Sequence, residues 1–388
     1  MSDRLGFLDH DMNRIAANGR RRSLVPVAPR SPVHVDVGGR AVRLFSSNDY
    51  LGLSHHPRVR EAAASAAHEF GMGPRGASLI CGYTTEHEAL EEDLATLAGT
   101  ESALLFPSGF AANLGVVSAL GGDGAAVFSD ELNHASIIDG CRLARAAVHV
   151  YRHADVEHLH ELLSSSKASR RIVVTETVFS MDGDVAPLVE LAEVCDRHGA
   201  IFVVDESHAT LVFGKRGSGI AEDKGVAERV DLHIGTLSKA IGSQGGFVAT
   251  SERMREYLLN VARAYVFTTS PTLPVVAAAR AALRVAREEP ELRARLWERV
   301  GELAVGLGRA LASPIAPIVA GAEERAVAAS RSLLERGFHV TAIRPPTVPV
   351  GESRLRITVS AAHSRRDVSE LVSALREDWT EPMPIPGR

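Results

Sequence analysis

Lysine is scarce in this chain, with four residues among 43 basic ones. Three of the four, Lys167, Lys215 and Lys224, lie in polar or charged stretches where a solvated ammonium is ordinary. Cysteine is scarce too. Cys81, Cys141 and Cys195 are widely spaced with no CxxC, which excludes a disulfide framework and fits reduced thiols. Neither sign of charge dominates: the net charge is −5 with acids and bases interspersed, so neither nucleic acid nor an anionic membrane is expected as a partner. No membrane span is expected either, because the uncharged stretch 104–122 is broken by Pro107, Ser108, Asn113 and four glycines. The opening Met1-Ser-Asp-Arg4 lacks an apolar segment and the closing Ile-Pro-Gly-Arg388 is no recognised address, so a cytoplasmic protein is expected. Neither a P-loop nor a dinucleotide GxGxxG occurs.

What is present begins with the fourth lysine. Lys239 sits in Thr236-Leu-Ser-Lys-Ala-Ile-Gly-Ser-Gln-Gly-Gly246, with no other acid, lysine or arginine between Asp231 and Glu252. Surroundings that neither solvate nor pair an ammonium favour the neutral amine, which can attack a carbonyl. Upstream, the apolar run Ala200-Ile-Phe-Val-Val204 ends in Asp205-Glu-Ser-His208. An acid at the end of a buried strand, together with a Schiff-base lysine, is what pyridoxal phosphate requires, because the acid keeps the pyridine nitrogen protonated. A buried salt bridge between strand ends is the rival account of the same pair.

The length of 388 residues exceeds the roughly 250–300 that one core supports, so two domains are expected. The middle of the chain alternates short apolar runs with amphipathic stretches. Arg171-Ile-Val-Val-Thr-Glu176 predicts a strand, and Pro187 opens a helix with Leu188, Leu191, Val194 and Cys195 on one face, stopped by Gly199. Strands over 200–204 and Leu232-His-Ile-Gly235 follow. This is βαβ spacing, hence an α/β fold with a mainly parallel sheet flanked by helices. Ser180, Asp205, His208 and Lys239 fall just beyond predicted strand ends, where ligands sit in such sheets.

Later the character changes. Arg354-Leu-Arg-Ile-Thr-Val-Ser360 alternates, predicting a strand with one apolar face and one polar face bearing Arg354, Arg356 and Thr358. Ser364 and Asp367 form a capping-box pattern before a helix with Val368, Leu371, Val372 and Leu375 in line. The expected layout is a helix and short hairpin over 1–45, a large domain over 46–285, a smaller α+β C-terminal domain over 286–380 and a loose tail over 381–388.

Other motifs have two accounts each. Ser108-Gly-Phe-Ala-Ala-Asn113 can bind phosphate at a helix start, or be a plain helix cap. Asn133-His134-Ala-Ser136 can set an imidazole over a flat ring, or be a surface loop. His153, His158 and His160 match no zinc spacing and read as a solvated helix, so no metal is expected. Arg356 and Arg344 can fork onto a carboxylate, or belong to a polar sheet face and a stiff linker. Arg20 lies in a short basic run that is ordinarily solvated.

With these residues in hand, the chain resembles the α-oxoamine synthases, a family of fold-type I pyridoxal-phosphate enzymes. The resemblance runs from Phe45-Ser-Ser-Asn-Asp-Tyr-Leu-Gly-Leu53 to Ser360-Ala-Ala-His363. It is carried by Phe106-Pro-Ser-Gly-Phe-Ala-Ala-Asn113, Glu176-Thr-Val-Phe-Ser-Met-Asp-Gly-Asp184, Asp205-Glu-Ser-His208 and Thr236-Leu-Ser-Lys239. Within the family, Ala342-Ile-Arg-Pro-Pro-Thr-Val-Pro349 is similar to the branch that joins L-alanine to a pimeloyl thioester in biotin synthesis. A glycine-using branch, such as a 2-amino-3-ketobutyrate CoA ligase, and a non-catalytic subunit of the same fold are the alternatives.

The resemblance implies roles. Lys239 would hold the cofactor covalently, Asp205 would pair with its ring nitrogen, and His208 with Ser180 would meet its phenolic oxygen. His134 would stack on the ring. Gly109, Phe110 and Thr236 would hold the phosphate, with Thr268 or Thr269 reaching it from the other subunit of a homodimer whose active site lies at the interface. Arg356 would grip the amino-acid carboxylate, and Arg20, Arg344 and Thr347 would line the acyl side. Ser207 departs from the family's usual alanine.

Overall fold

The computed structural model describes residues 4–17, 20–22 and 24–379. The tail over 381–388 lies outside the described residues. The chain forms two compact units. One is Asn48–Ser180 with Asp184–Leu296; the other takes the described residues of Met1–Ser47, Met181–Gly183 and Trp297–Arg388.

The larger unit is built on seven strands in the order Ser102–Phe106, Gly246–Thr250, Leu232–Thr236, Ile201–Asp205, Arg170–Glu176, Ala125–Asp130 and Ala147–Tyr151. Gly246–Thr250 runs antiparallel to both of its neighbours, and the other pairings are parallel. The central strands are continuous apolar runs. Ile172 to Val174 and Phe202 to Val204 are fully buried, as a sheet covered on both faces demands. Burying one such side chain contributes about 1.5–3 kcal/mol. Strand propensity spans only about 1 kcal/mol, so burial decides the pattern.

The helices Ala135–Leu143, Val156–Ser165 and Leu188–His198 fill successive crossovers. In the last of these, Leu188, Leu191, Val194 and Cys195 are buried, and Gly199 ends the helix at φ 57°. Arg197 and His198 in its final turn suit the negative end of the helix dipole. Because these strands are parallel, the chain leaving each emerges at one edge of the sheet.

The second unit holds two small sheets. Val27–Pro29, His34–Val37 and Arg40–Leu44 form an antiparallel set extended by Phe338–His339, which is parallel to Arg40–Leu44. Ser353–Thr358 lies between Ile315–Gly321 and Thr341–Ile343, antiparallel to both. The expected polar face of this strand does not exist. All six of its residues are buried, because it is the central strand of its sheet. Arg354, 1% exposed, bonds the Asp182 carboxylate and reaches Glu352 Oε2 at 2.9 Å. The capping box at Ser364 and Asp367 is present, and Val368, Leu371, Val372 and Leu375 are buried. The helix Phe7–Ala17 buries none of its residues. No helix among the described residues is long and apolar enough to cross a membrane.

Candidate active site

Lys239 lies in the connection between Leu232–Thr236 and Gly246–Thr250, and that connection is tightly fixed. Thr236 Oγ1 and the Leu237 amide both donate to Gly245 O, at 2.9 and 3.0 Å. The Gly242 amide donates to Lys239 O at 2.9 Å. Gly242 has φ 71°, and a Cβ there would run into the Ser54 amide, so only glycine closes this turn. Lys239 is left half-buried.

Asp205 ends the neighbouring strand with 4% exposure. Its Oδ2 accepts from Asn113 Nδ2 at 2.6 Å and its Oδ1 from the Ser207 amide at 2.8 Å, so the carboxylate is aimed from two sides. Asn113 Nδ2 also donates to Ser136 Oγ at 3.0 Å, and Ser136 Oγ lies 2.7 Å from His134 Nδ1. The Ser136 amide donates to the same Nδ1 at 3.2 Å. That nitrogen is therefore an acceptor, the ring is neutral, and its proton sits on Nε2. A chain of polar contacts thus runs from Asp205 to His134. His134 is exposed overall, with its Nδ1 side enclosed by Ser136. Partial burial holds its pKa below the ordinary value, with Asp205 raising it and Lys239 lowering it.

Ser108 caps the helix Gly109–Leu120 by accepting from the Ala111 amide at 3.1 Å. A Cβ on Gly109 would stand 3.1 Å from Thr236 Cβ and 3.8 Å from Ser207 Oγ, so the helix start, Thr236 and Ser207 border one narrow space. Phe110 is exposed, its ring edge-on to His134 at 6.3 Å. His208 is buried, with Nδ1 2.7 Å from Tyr50 Oη. Ser180 is buried on the hairpin that follows Arg170–Glu176. Glu206, next to Asp205, faces away: it accepts from the Ile220 and Ala221 amides and from Thr177 Oγ1, and burial pushes it up to about 7.

Lys239, Asp205, His208, Ser180, His134, Gly109, Phe110 and Thr236 all belong to the larger unit, around one edge of its sheet. Thr268 and Thr269 follow the helix Arg263–Val266 on a separate segment, where Thr269 is exposed and bridges to Ala77. Arg20, Arg344, Thr347 and Arg356 belong to the other unit. There Arg20 pairs with Glu323 Oε1 at 3.4 Å, Thr347 is exposed, and Arg356 is buried.

Four residues of the site carry no role in the sequence reading: Asn113, Ser136, Tyr50 and Glu176. Asn113 and Ser136 stand inside motifs quoted for their neighbours. Glu176 is fully within the sheet, and its Oε1 has no hydrogen-bond partner among the described residues. Burial, then Asp205, hold that carboxyl well above the usual range, against the pull of Lys239. The three histidines read as one solvated helix do not share an environment. His153 sits between Asp130 and Asp184, His158 accepts from the Arg152 amide, and His160 faces His198.

Comparison with known proteins gives the family. The family described as aminotransferase class I and II matches residues 41–375. The chain is 52% identical over 377 residues to a protein of Anaeromyxobacter dehalogenans strain 2CP-1 named 8-amino-7-oxononanoate synthase, covering 96% of this chain and 95% of that one. It superposes on the serine palmitoyltransferase of Sphingomonas wittichii with a TM-score of 0.91 and 35% identity, covering 98% and 99% of the two chains. For the 8-amino-7-oxononanoate synthase of Francisella tularensis the TM-score is 0.74 at 27% identity, covering 87% of this chain and 98% of that one. A family match across most of the length, with half-identity to a near-full-length relative, identifies the chain as a member of the aminotransferase class I and II family, on its α-oxoamine synthase branch.

Proposed function

We propose that the protein is a pyridoxal-phosphate enzyme that condenses L-alanine with pimeloyl-CoA, releasing CoA and CO2, the activity of an 8-amino-7-oxononanoate synthase in biotin synthesis. The observation that carries this is the placement of Lys239, on a hydrogen-bonded turn, at the same sheet edge as a buried Asp205 held by Asn113 and the Ser207 amide. The residues fit the cofactor. Gly109 keeps open a space that a Cβ would crowd, and Glu176 Oε1 and Asn113 Oδ1 are buried polar atoms without partners among the described residues.

When bound, pyridoxal phosphate supplies a protonated ring that takes up the electron pair released at an amino acid's α-carbon. Lys239 Nζ would hold it covalently, and its free amine would be the base that takes the α-proton. Asp205 would keep the ring nitrogen protonated, His134, neutral and fixed by Ser136, would stack on the ring, and His208 with Ser180 would serve the phenolic oxygen. Gly109, Phe110 and Thr236 hold the phosphate, joined by Thr268 or Thr269 of a second copy in a homodimer. Arg356 is assigned the amino-acid carboxylate, and Arg20, Arg344 and Thr347 the acyl substrate. The larger unit is the cofactor domain. The three free cysteines suit a reducing, cytoplasmic setting.

A second reading, the activity named for the serine palmitoyltransferases, is favoured by the closer shape match, 0.91 against 0.74. The test is thiol release from pimeloyl-CoA with L-alanine, glycine or L-serine, by wild type and Lys239→Ala, with palmitoyl-CoA as the alternative acyl donor. Release with L-alanine and pimeloyl-CoA that vanishes in the variant is the expected result. Release with glycine alone, or with L-serine and palmitoyl-CoA alone, replaces the substrate assignment.

A further inference from the structure

We infer that His153 is a positioning residue for this site, a cationic clasp that holds the hairpin carrying Ser180 in place. The inference rests on the proposed function for what Ser180 does, and on geometry alone for the clasp.

The chain leaving Ala147–Tyr151 turns at once, with Ala154 at φ 55°, a conformation that costs a non-glycine residue energy. The Asp130 carboxylate holds this turn in place, since its Oδ2 accepts from the Ala154 amide at 2.8 Å and its Oδ1 from the Leu132 amide at 2.9 Å. The turn presents His153 to two acids. Nδ1 lies 3.0 Å from Asp130 Oδ1, and Nε2 lies 2.8 Å from Asp184 Oδ2. An ionised carboxylate only accepts, so each ring nitrogen must donate, and an imidazole with two N–H groups is a cation. The His153 amide donates to Glu131 Oε1 at 2.8 Å, which adds a third acid nearby. The adjacent Arg152 is spent on Asp155, Nε to Oδ2 at 2.8 Å. Burial alone would lower the His153 pKa; the bonds and charges of Asp130 and Asp184 override it and push it up to about 9.

The other end of the clasp is a two-legged hairpin. The Phe179 amide donates to Asp184 O at 3.0 Å and the Ala186 amide to Thr177 O at 3.1 Å, with Val178 bridged to Val185. The Thr177 amide donates to Asp205 O at 3.0 Å, so the base of the hairpin is tied to the strand end that carries Asp205. His153 touches both legs. It bonds Asp184 on one, and on the other its ring meets Phe179 edge-on at 4.4 Å. Ser180 is the next residue, and it is buried. A neutral ring has one N–H and would leave one of the two acids facing a lone pair, so deprotonation weakens the tie between Asp130 and the hairpin that carries Ser180.

The test compares wild type, His153→Gln and Asp184→Asn, all loaded with pyridoxal phosphate. Asp184→Asn keeps an acceptor for Nε2 while removing a charge, so it stands in if His153→Gln does not fold. Three readouts are taken: the thermal midpoint from pH 6 to 10, the bound-cofactor absorbance against pH, and the kcat and KM for L-alanine. For wild type the midpoint should fall as pH rises through about 9, and both variants should flatten that fall. Well below their melting temperatures the variants should lose roughly ten- to a hundredfold in kcat, with a shifted cofactor titration. Midpoints that track pH identically in wild type and variants overturn the cationic clasp. A flattened midpoint with unchanged kcat and absorbance makes His153 structural and overturns the positioning role. If no amino acid supports thiol release in wild type, the proposed function fails while the midpoint arm still decides the clasp.

Discussion

Ala125–Asp130 and Ala147–Tyr151 are parallel neighbours, and the chain leaving each soon reaches a histidine, His134 and His153. The two rings are held oppositely. His134 Nδ1 receives an amide and faces a hydroxyl, so its ring is neutral, and partial burial depresses its pKa. His153 has a carboxylate at each nitrogen, and its pKa reaches about 9 although burial works against it. His233 is a third case. It is buried, its Nε2 lies 3.2 Å from Ala227 O, and burial pushes it down to about 4. Depth alone therefore does not set an imidazole's charge: burial lowers the pKa of all three rings, and only at His153 do facing carboxylates override it.

Removing the amine near His134 sharpens this contrast most. Lys239→Ala should cut thiol release by roughly 10²–10⁴-fold or more, the scale of losing a positioned base. It should leave the alkaline fall of the melting temperature unchanged, because Lys239 does not act on His153. A changed fall would link the two regions and break the comparison.

Asp205→Asn comes next. It should retain some cofactor and lose turnover by roughly 10²–10³-fold, as when one preorganised electrostatic partner is removed. The His134 pKa should fall further, because the charge that raises it is gone. Near-normal turnover at saturating cofactor would refute the role of Asp205.

The His153 side has a stability signature. The shift from 6.5 to about 9 is worth about 3 kcal/mol, at 1.36 kcal/mol per pKa unit. Its sign follows from a raised pKa: the contribution is complete below pH 6.5, declines between 6.5 and about 9, and is gone above. Asp130→Asn should therefore cost up to about 3 kcal/mol at low pH and progressively less toward pH 10, read by denaturant unfolding at several pH values. A cost that does not vary with pH would mean that His153 is neutral.

Ser136→Ala is the mildest change. Losing one hydrogen bond should cost about 0.5–1.5 kcal/mol. It also removes a donor that favours the neutral His134 ring, so the His134 pKa should rise, and with it the acid limb of a pH–rate profile. An unmoved limb would show that the Ser136 amide alone fixes this tautomer.

Much of the site was legible in the sequence, for a local reason. Lys239, Asp205, His208 and Ser180 each lie at or just past the end of a strand whose apolar run marks its own end, and parallel strands deliver their ends to one edge. The central strands and the helix Leu188–His198 were legible on the same grounds of periodicity and Gly199. Ser353–Thr358 was misread because alternation signals one wet face only when nothing covers it, and here Arg354 finds Asp182 and Glu352. Tyr50, Asn113, Ser136 and the true setting of His153 gave no local signal.

The division between sequence and structure follows from contact range. Strand placement, helix ends, the lone lysine in apolar surroundings and the acid closing a buried run depend on neighbours a few positions away, so the sequence by itself determined them. The partners that set charge and aim do not. Asn113 meets Asp205 across 92 positions, Tyr50 meets His208 across 158, and His153 meets Asp184 across 31. Only the tertiary structure decided those, because a hydrogen bond is fixed within about 3 Å in space and its effect on protonation has no counterpart in the order of residues along the chain.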